Sequence, residues 1–488
     1  MRCRSRIAVT LATWIVMGWA SAGGAAELLV GTAVVNITHG RPIALQGQMH
    51  TRIGRAVDAP LEASVVALES RRGEKPLDQA IMVSCDVCYT PSDVVEKVRL
   101  RLKQRLPGFD PQKLFLSSTH THTGPVFEDG LYDIPKDGVL PPSEYTKFFV
   151  ERVADAAAKA WQARKPGAVG WGLGHAVVGH NRRAVYADGS AQMYGGTDSP
   201  TFRNIEGYED HAVETLSFWD QDRKLIAAAV NLACTAQEVE SKSTVDADFV
   251  HPVRVALRKR HGQHLAVLAW IGAAGDQSPH LMFRKQAEER MRQLRKLTRL
   301  EEIARRIVLG VDEALDGAQQ DIRADVPLVH RVEVLKLPVR KVTEKELAEA
   351  RSQVETLSKD PRQRRIMLWH QAVVDRYQKQ QTQPTQDAEV HVLRLGDVAI
   401  CTNPFELFLD FGIRMKSRSK AVQTFVIQLV NGAGYVPTEK AVRGGGYSAI
   451  IQSNRVGPEG GQVLVDRTVE MINAMFEDAA KKPTGGTR

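Results

Sequence analysis

Residues 114–125 read LFLSSTHTHTGP, an apolar run that leads directly into two histidines and a Gly-Pro turn. Because successive side chains of a strand point to opposite faces, His120 and His122 are predicted to lie on the same side of one strand. Paired imidazoles at the end of a buried strand are typical ligands for a metal at the rim of a sheet. The spacing fits two surface histidines equally well, so a metal site requires partners from elsewhere in the chain. The stretch favours the floor of a metallohydrolase site.

Outward from this stretch, β-branched runs alternate with turn residues and with segments of helical period. A helix is predicted to open at Ser92 and to return the chain to the strand before His120. The pattern indicates an α/β (mixed) fold, a single large catalytic domain with interleaved strands and helices. Charged segments form helical insertions after residue 283 and after residue 342, and we expect them to lie on the surface. The predicted strands cover residues 29–35, 63–68, 80–85, 215–219, 225–232, 330–337, 391–401 and 424–430, and the predicted helices cover 143–164, 284–316, 343–380 and 460–480.

The N-terminus has the pattern of a secretory signal peptide over residues 1–26. Three arginines precede an apolar stretch at residues 7–19, and small residues suited to cleavage follow. We therefore expect an exported protein, periplasmic or extracellular, whose catalytic domain covers residues 27–482. The apolar stretch is shorter than the roughly twenty residues that span a membrane, and no transmembrane segment is predicted.

Charge and cysteine content narrow the class of protein further. The formal net charge is +8 over 488 residues, and three of the arginines belong to the predicted signal peptide. So modest an excess of positive charge does not indicate a nucleic-acid partner.

The cysteines beyond the signal peptide lie in runs that are predicted to be buried strands, and we expect free thiols because a core of this size needs no disulfide. They are Cys85, Cys88, Cys234 and Cys401.

Three further motifs follow predicted strands and carry reactive side chains. Residues 275–279 read GDQSP and place Ser278 after an apolar strand. Residues 403–406 read NPFE and place the carboxylate of Glu406 after another. Residues 431–438 read NGAGYVPT, and three consecutive glycines follow before the next tyrosine. Small residues at such points let the backbone approach a ligand closely.

In this order the four motifs resemble those of the neutral/alkaline (non-lysosomal) ceramidase family, and the resemblance extends over nearly the whole mature chain. It covers the catalytic domain of that family. The resemblance implies an enzyme that uses Zn2+ to hydrolyse an N-acyl amide. The metal ligands it implies are His120, Glu406 and Tyr435. The catalytic residues it implies are Ser278, His122, Tyr447 and, from the run GHNR at residues 179–182, Arg182.

The resemblance also implies a role for each catalytic residue. His122 lies beside the metal and polarises the substrate or handles a proton. Ser278 corresponds to the residue proposed as the family's nucleophile, and a water activated by the zinc is the alternative attacker. Arg182 and Tyr447 donate hydrogen bonds to the oxyanion that develops during the reaction.

One position departs from the family pattern. Residues 231–235 read NLACT, so Thr235 stands where the resemblance implies a ligand histidine. The remaining ligands could still hold zinc with one water, or a nearby side chain could complete the set. A lost or altered metal is the third alternative. The nearby candidates are His122, Gln237, Glu238, Asp248 and His251.

These observations leave three hypotheses for the function. The first is an exported zinc-dependent amide hydrolase with a small-molecule or lipid N-acyl substrate, ceramide being the family precedent. The second is a hydrolase of a different ester or carbohydrate-derived substrate, for which the polar segment at residues 188–207 would shape a hydrophilic pocket. The third is a non-catalytic binding protein on the same scaffold, which the change at Thr235 favours. The sequence predicts no particular oligomeric state.

Overall fold

The computed structural model describes residues 26–480. The predicted signal peptide lies outside these residues except for Ala26, and residues 481–488 lie outside them as well. Within residues 26–480, none of the helices combines the length and the hydropathy that a membrane span needs. The four cysteines of this part of the chain are buried and free, as predicted. The prediction that all four lie on strands is wrong for Cys88 and Cys234, which lie just beyond the strands Lys75–Cys85 and Leu225–Leu232.

The larger of two main sheets has eight strands. In chain order they are β1 (Glu27–Asn36), β2 (Glu62–Arg72), β3 (Lys75–Cys85), β4 (Leu114–Ser118), β5 (Lys165–His175), β6 (Ala212–Asp220), β7 (Leu225–Leu232) and β8 (Ala266–Ile271). Their order across the sheet is β8-β7-β6-β5-β1-β2-β3-β4. The pairs β3–β4 and β7–β8 are parallel, and the other neighbours are antiparallel.

The smaller sheet has four strands, β9 (Leu328–Pro338), β10 (Thr385–Leu395), β11 (Val398–Thr402) and β12 (Gln423–Ile427). Only the pair β11–β12 is parallel among them. The helices are α1 (Ser92–Arg105), α2 (Pro142–Gln162), α3 (Val250–His261), α4 (Lys285–Leu294), α5 (Arg299–Ala318), α6 (Glu344–Leu357), α7 (Arg364–Lys379), α8 (Leu409–Arg418), α9 (Glu439–Gly444) and α10 (Pro458–Ala480).

The two sheets pack face to face, with helices on both outer sides. In β2, Val65 packs among residues of α1 and α2, whereas its neighbour Val66 packs in a cluster that includes Phe425 of the smaller sheet. Helices α8 and α10 cover the other face of the smaller sheet. Because both faces of β2 are buried, the strand is a continuous apolar run rather than an alternating one. The predicted α/β fold is confirmed, in four layers.

The helical insertion after residue 283 forms two helices, and the second one is part of the core. Helix α5 begins at a capping box formed by Thr298 and Glu301. Its apolar face, which includes Ile307 and Val311, is buried against the larger sheet. A Cβ atom at Gly172 of β5 would lie 2.1 Å from the carbonyl oxygen of Ala314, so glycine permits this close contact. The expectation of a purely surface helix is wrong for α5, because its charges occupy only one face.

Two histidines are buried between the sheets, away from the predicted site. The imidazoles of His330 and His391 are 2.9 Å apart between Nε2 and Nδ1, and Nε2 of His391 is 3.0 Å from Glu389. Arg99 donates two hydrogen bonds to the same carboxylate. Burial lowers the pKa of both histidines, for His330 well below the ordinary value. Both rings are therefore neutral in the folded protein at neutral pH.

We expect this pair to make the protein sensitive to acid. The folded pKa values lie below the unfolded value of about 6.5, so the unfolded chain binds protons first and the free energy of unfolding falls as the pH drops below about 6.5. Two histidines that stay neutral lower it by roughly 2–4 kcal/mol at about pH 5. Urea unfolding above about pH 6.5 and at about pH 5 measures this loss of unfolding free energy. His330→Gln should reduce the loss of stability at acid pH. His175→Gln, at an exposed position, should not reduce it. Equal losses in the two variants would contradict the explanation.

Candidate active site

The predicted site residues lie beyond the carboxyl ends of the parallel strands of both sheets. Such ends are the usual place for a ligand in an α/β fold, because the loops that leave them converge. His120 and His122 follow β4, Ser278 follows β8, Glu406 follows β11 and Tyr435 follows β12. An isolated bridge between Ser117 and Val430 ties the two sheets together at this edge.

The two histidines lie in a turn rather than on the strand. Strand β4 ends at Ser118, and His120 has a φ of 65°, so the prediction that both rings extend from the strand is wrong. A left-handed φ is uncommon for a histidine, and hydrogen bonds hold this one: the His120 amide donates to Val87. The turn nevertheless brings the rings together, with 3.4 Å between the two Nε2 atoms. The reversal of the chain, not strand alternation, aligns the imidazoles.

Glu406 and Tyr435 reach the same point from the smaller sheet. Residues Glu406–Leu407 pair in parallel with Tyr435–Val436, which places the two side chains in register. An oxygen of Glu406 lies 3.1 Å from Nε2 of His120. Burial raises the pKa of Glu406, but the contact with His120 and then the hydrogen bond from Tyr435 outweigh it and hold the pKa below its ordinary value. A Cβ atom at residue 275 would lie 2.3 Å from the Glu406 carbonyl oxygen, so Gly275 is required there.

Arg182 connects the tyrosine of this group to the serine. Its guanidinium is buried and donates to the hydroxyl of Tyr435 (3.2 Å), to the carbonyl of Gly275 (2.9 Å) and to the hydroxyl of Tyr194 (3.1 Å). Tyr194 in turn hydrogen-bonds Ser278. The sequence reading missed Tyr194, which comes from the small sheet at residues 183–205 and has a φ of 55°. One continuous polar network therefore links Tyr435, Arg182, Tyr194 and Ser278.

Tyr447 completes the group of predicted residues. Its ring lies 5.7 Å from that of Tyr435, edge to face, and 5.8 Å from Trp369. Burial and the charge of Glu406 raise the pKa of Tyr447 to about 12, so its hydroxyl remains a donor. Every residue that the sequence singled out as catalytic or metal-binding therefore lies in, or directly next to, one cluster.

Thr235, at the position of the implied ligand histidine, is linked to His122 through Gln237. Its hydroxyl donates to Oε1 of Gln237 at 2.6 Å, and Nε2 of Gln237 is 2.7 Å from Nε2 of His122. On the other edge of the His122 ring, Glu240 lies 3.1 Å from Nδ1. Gln237 and Glu240 thus bracket His122, a role for Glu240 that the sequence did not indicate.

The other candidates for the missing ligand point elsewhere. Glu238 pairs with Arg299 at 3.2 Å, and Asp248 accepts hydrogen bonds from the amides of Val239 and Phe249. His251 lies on α3, where burial lowers its pKa. Glu238 and Asp248 are engaged in the surrounding structure, and none of the three belongs to the group of possible metal-binding residues around His120, so the expectation that one of them supplies a ligand is not supported.

Cys88 is a member of the cluster that sequence reasoning assigned to the core. Strand β3 ends at Cys85, and the sulfur of Cys88 lies 3.7 Å from Nδ1 of His120 while its carbonyl oxygen lies 2.7 Å from the same nitrogen. Cys88, His120 and His122 each offer a donor atom within 4.8 Å of the others, so they could hold a metal ion. Burial raises the pKa of the Cys88 thiol, but His120 and His122 outweigh it and lower the pKa to about 6.

The donor atoms have the spacing that a zinc ion requires. Ligands about 2.0–2.1 Å from a tetrahedral zinc lie about 3.3 Å from one another. Nε2 of His120 is 3.1 Å from an oxygen of Glu406, and the hydroxyl of Tyr435 hydrogen-bonds the same carboxylate. The hydrogen bond of Nδ1 to the Cys88 carbonyl leaves Nε2 as the free nitrogen, the arrangement that orients a ligand imidazole. The residues present therefore fit the metal.

An open cleft leads to the cluster from the side of His280. Its volume is about 810 Å³, and charged side chains alternate with apolar ones along its walls. Tyr194, Glu240 and His280 line the cleft and also contact Ser278 or His122. The cleft therefore lies next to the predicted site residues.

No protein-family model matches this sequence, and no curated protein matches it. Solved structures do match, and two of them are ceramidases. One is a neutral ceramidase from Pseudomonas aeruginosa, with a TM-score of 0.69 and 17% identity over 93% of this chain and 75% of that one. The chain has the neutral ceramidase fold. The other is a ceramidase complexed with C2, with a TM-score of 0.64 and 16% identity over 93% of this chain and 76% of that one.

Proposed function

We propose that this protein is an exported zinc-dependent amide hydrolase that cleaves an N-acyl linkage. The observation that carries the proposal is the convergence of His120, Glu406 and Tyr435 on one point, with Arg182 beside them. The neutral ceramidase fold supports an N-acyl substrate, so ceramide, cleaved to a sphingoid base and a fatty acid, is the first compound to test. The proposed catalytic domain covers residues 27–482.

In this proposal His120, Glu406 and Tyr435 would hold the zinc ion, which would act as a Lewis acid and bring the pKa of water to about 7. Arg182 is fixed by four acceptors and holds the hydroxyl of Tyr435 toward the site, while Tyr447 contributes a second hydroxyl to the developing oxyanion. His122 gives a proton to the leaving amine, and Glu240 stabilises the protonated ring. The net reaction consumes one water and yields an acid and an amine.

Ser278 has two roles open to it in this mechanism. Its hydroxyl accepts a hydrogen bond from the His280 amide and contacts Tyr194, which suits a residue that positions the substrate. A nucleophilic role requires an adjacent base, and His280 belongs to the same segment. Ser278→Ala separates the two: loss of a nucleophile lowers kcat by roughly 10,000-fold or more, as in serine hydrolases, whereas loss of a positioning contact costs far less.

A hydrophilic substrate, such as a carbohydrate-derived amide or ester, is the second candidate. Four charged side chains of the cleft beside the site support it, although apolar surface makes up the larger part of the lining: Glu238, Glu240, Lys285 and Arg299. The polar segment at residues 188–207 contributes Tyr194 to the site, whereas Asp188 and Ser190 form an exposed turn.

Metal removal and replacement tests the proposed function. The purified protein is incubated with N-acylsphingosines of short and long chain in detergent micelles, and with N-acyl amino sugars and esters. We expect amide hydrolysis that a chelator abolishes and one equivalent of zinc restores, because water and the carbonyl lose their activating cation. Turnover of only the sugar derivatives or esters would favour the second candidate. Neither zinc uptake nor turnover of any compound would refute the hydrolase and favour a binding protein.

A further inference from the structure

The side chain of Cys88 has no role in the mechanism above, yet it lies within the cluster. It is buried, with 4% of its surface exposed, and its sulfur is 3.7 Å from the His120 ring. Together with His120 and His122 it forms a group whose donor atoms all lie within 4.8 Å of one another. Imidazole and thiolate are the two ligand types that zinc prefers in proteins.

The neighbouring polar groups leave a ligand position unfilled. The hydroxyl of Thr235 and the guanidinium of Arg182 both donate to Oε1 of Gln237. This oxygen is therefore held away from the cluster, and the amide nitrogen, which has no lone pair to give, faces His122. Gln237 therefore offers no donor atom to a cation in this arrangement, and the hydroxyl proton of Thr235 is engaged by Gln237.

Cys88 is the nearest side chain without a role in the mechanism that could supply the ligand. Its side chain has a single rotatable bond, and a change of rotamer moves the sulfur by about 3 Å. Binding beside Glu406 requires such a change, because the sulfur lies at the Nδ1 edge of His120 and Glu406 lies at the Nε2 edge. The hydrogen bond that the Cys88 carbonyl oxygen accepts from His120 holds the backbone in place.

We propose that Cys88 is a ligand of the metal, so that this site holds its cation with a sulfur donor in addition to His120 and Glu406. The inference rests on the proposed function in using the same metal centre. On binding, the thiol releases its proton to solvent and sulfur bonds to the metal. A thiolate ligand directs the site towards zinc and related soft or borderline cations and away from magnesium and calcium.

Cobalt(II) is the probe that tests the ligand directly. It is titrated into the metal-free protein under reducing conditions, and the near-ultraviolet band of thiolate-to-cobalt charge transfer is recorded. We expect the band at one equivalent in the wild type and in Cys401→Ala, a matched change at a buried cysteine outside the cluster. Cys88→Ala should lose the band and bind cobalt roughly 10- to 100-fold more weakly. Thermal unfolding of the metal-free variants shows whether each one is folded.

A second measurement needs no variant. X-ray absorption at the zinc edge of the wild-type protein should show one sulfur neighbour at about 2.3 Å. Nitrogen and oxygen neighbours alone, or a cobalt band that persists in Cys88→Ala, would overturn the sulfur ligand and leave the zinc hydrolase standing. Failure of the wild type to bind cobalt or zinc at all would overturn both proposals, so the two failures are distinguishable.

Discussion

Glu406→Gln is expected to lower kcat/KM for N-acyl amide hydrolysis by at least about 1,000-fold and to reduce the zinc content of the purified protein, because it removes a buried carboxylate donor. The substitution keeps the shape of the side chain, and the amide can still accept from Tyr435. It removes the negative charge that faces His120 at 3.1 Å and that helps to balance Arg182. Activity and zinc content measured on the same preparation show whether the two losses coincide.

An exposed glutamate supplies the control for this experiment. Glu439 at the start of α9 leaves most of its side chain in solvent, and Glu439→Gln should change neither kcat/KM nor zinc content. His120→Ala should reproduce the effect of Glu406→Gln, since both side chains meet at one point. Wild-type activity in Glu406→Gln, with zinc retained, would exclude the proposed ligand set.

Arg183→Met is expected to lower the free energy of unfolding by about 3–5 kcal/mol, because it leaves the carboxylate of Glu206 buried without its partner. The Arg183 side chain is fully buried and donates to Glu206 at 2.7 and 3.1 Å. It also donates to the carbonyl oxygens of Gly445 and Tyr447, and these two hydrogen bonds hold the glycine-rich loop in place. Urea unfolding monitored by tryptophan fluorescence measures the loss.

Two further variants separate charge burial from the loss of packing. Arg467 forms solvent-exposed ion pairs with Glu333 and Glu470, and Arg467→Met should cost less than about 1 kcal/mol. The double variant Arg183→Met/Glu206→Leu leaves neither charge of this pair buried. Most of the lost stability should therefore return. A double variant as unstable as Arg183→Met alone would show that the bonds to the loop, rather than the buried carboxylate, dominate.

The order of strands and helices along the chain was largely predictable. The apolar runs that became β2, β3, β4 and β7 contain branched residues bounded by turns, and local pattern is sufficient to recognise such segments. The end of β4 was not predictable to the residue. Hydrophobic pattern carries no information on whether His120 adopts an extended or a left-handed backbone, which depends on its hydrogen bond to Val87.

The residues of the candidate site were likewise predictable only in part. His120, Glu406 and Tyr435 stood out because each lies in a compact motif after an apolar run. Gln237, Glu240 and Tyr194 occur in no motif, and their roles emerge from contacts with residues distant in the chain. The position of Cys88, three residues beyond the last residue of β3, was the sequence feature that could have separated it from the core cysteines.

The sequence by itself determined the α/β class, the buried free cysteines and those site residues that lie in compact motifs, because period, apolar runs and motif order are local properties of the chain. Only the tertiary structure decided that the sheets pack face to face, that α5 belongs to the core, that Thr235 turns to Gln237 and that Cys88 joins the histidines. These outcomes depend on which loops converge at the carboxyl ends of parallel strands from two sheets. That convergence is set by packing between segments far apart in the chain, and no local pattern encodes it.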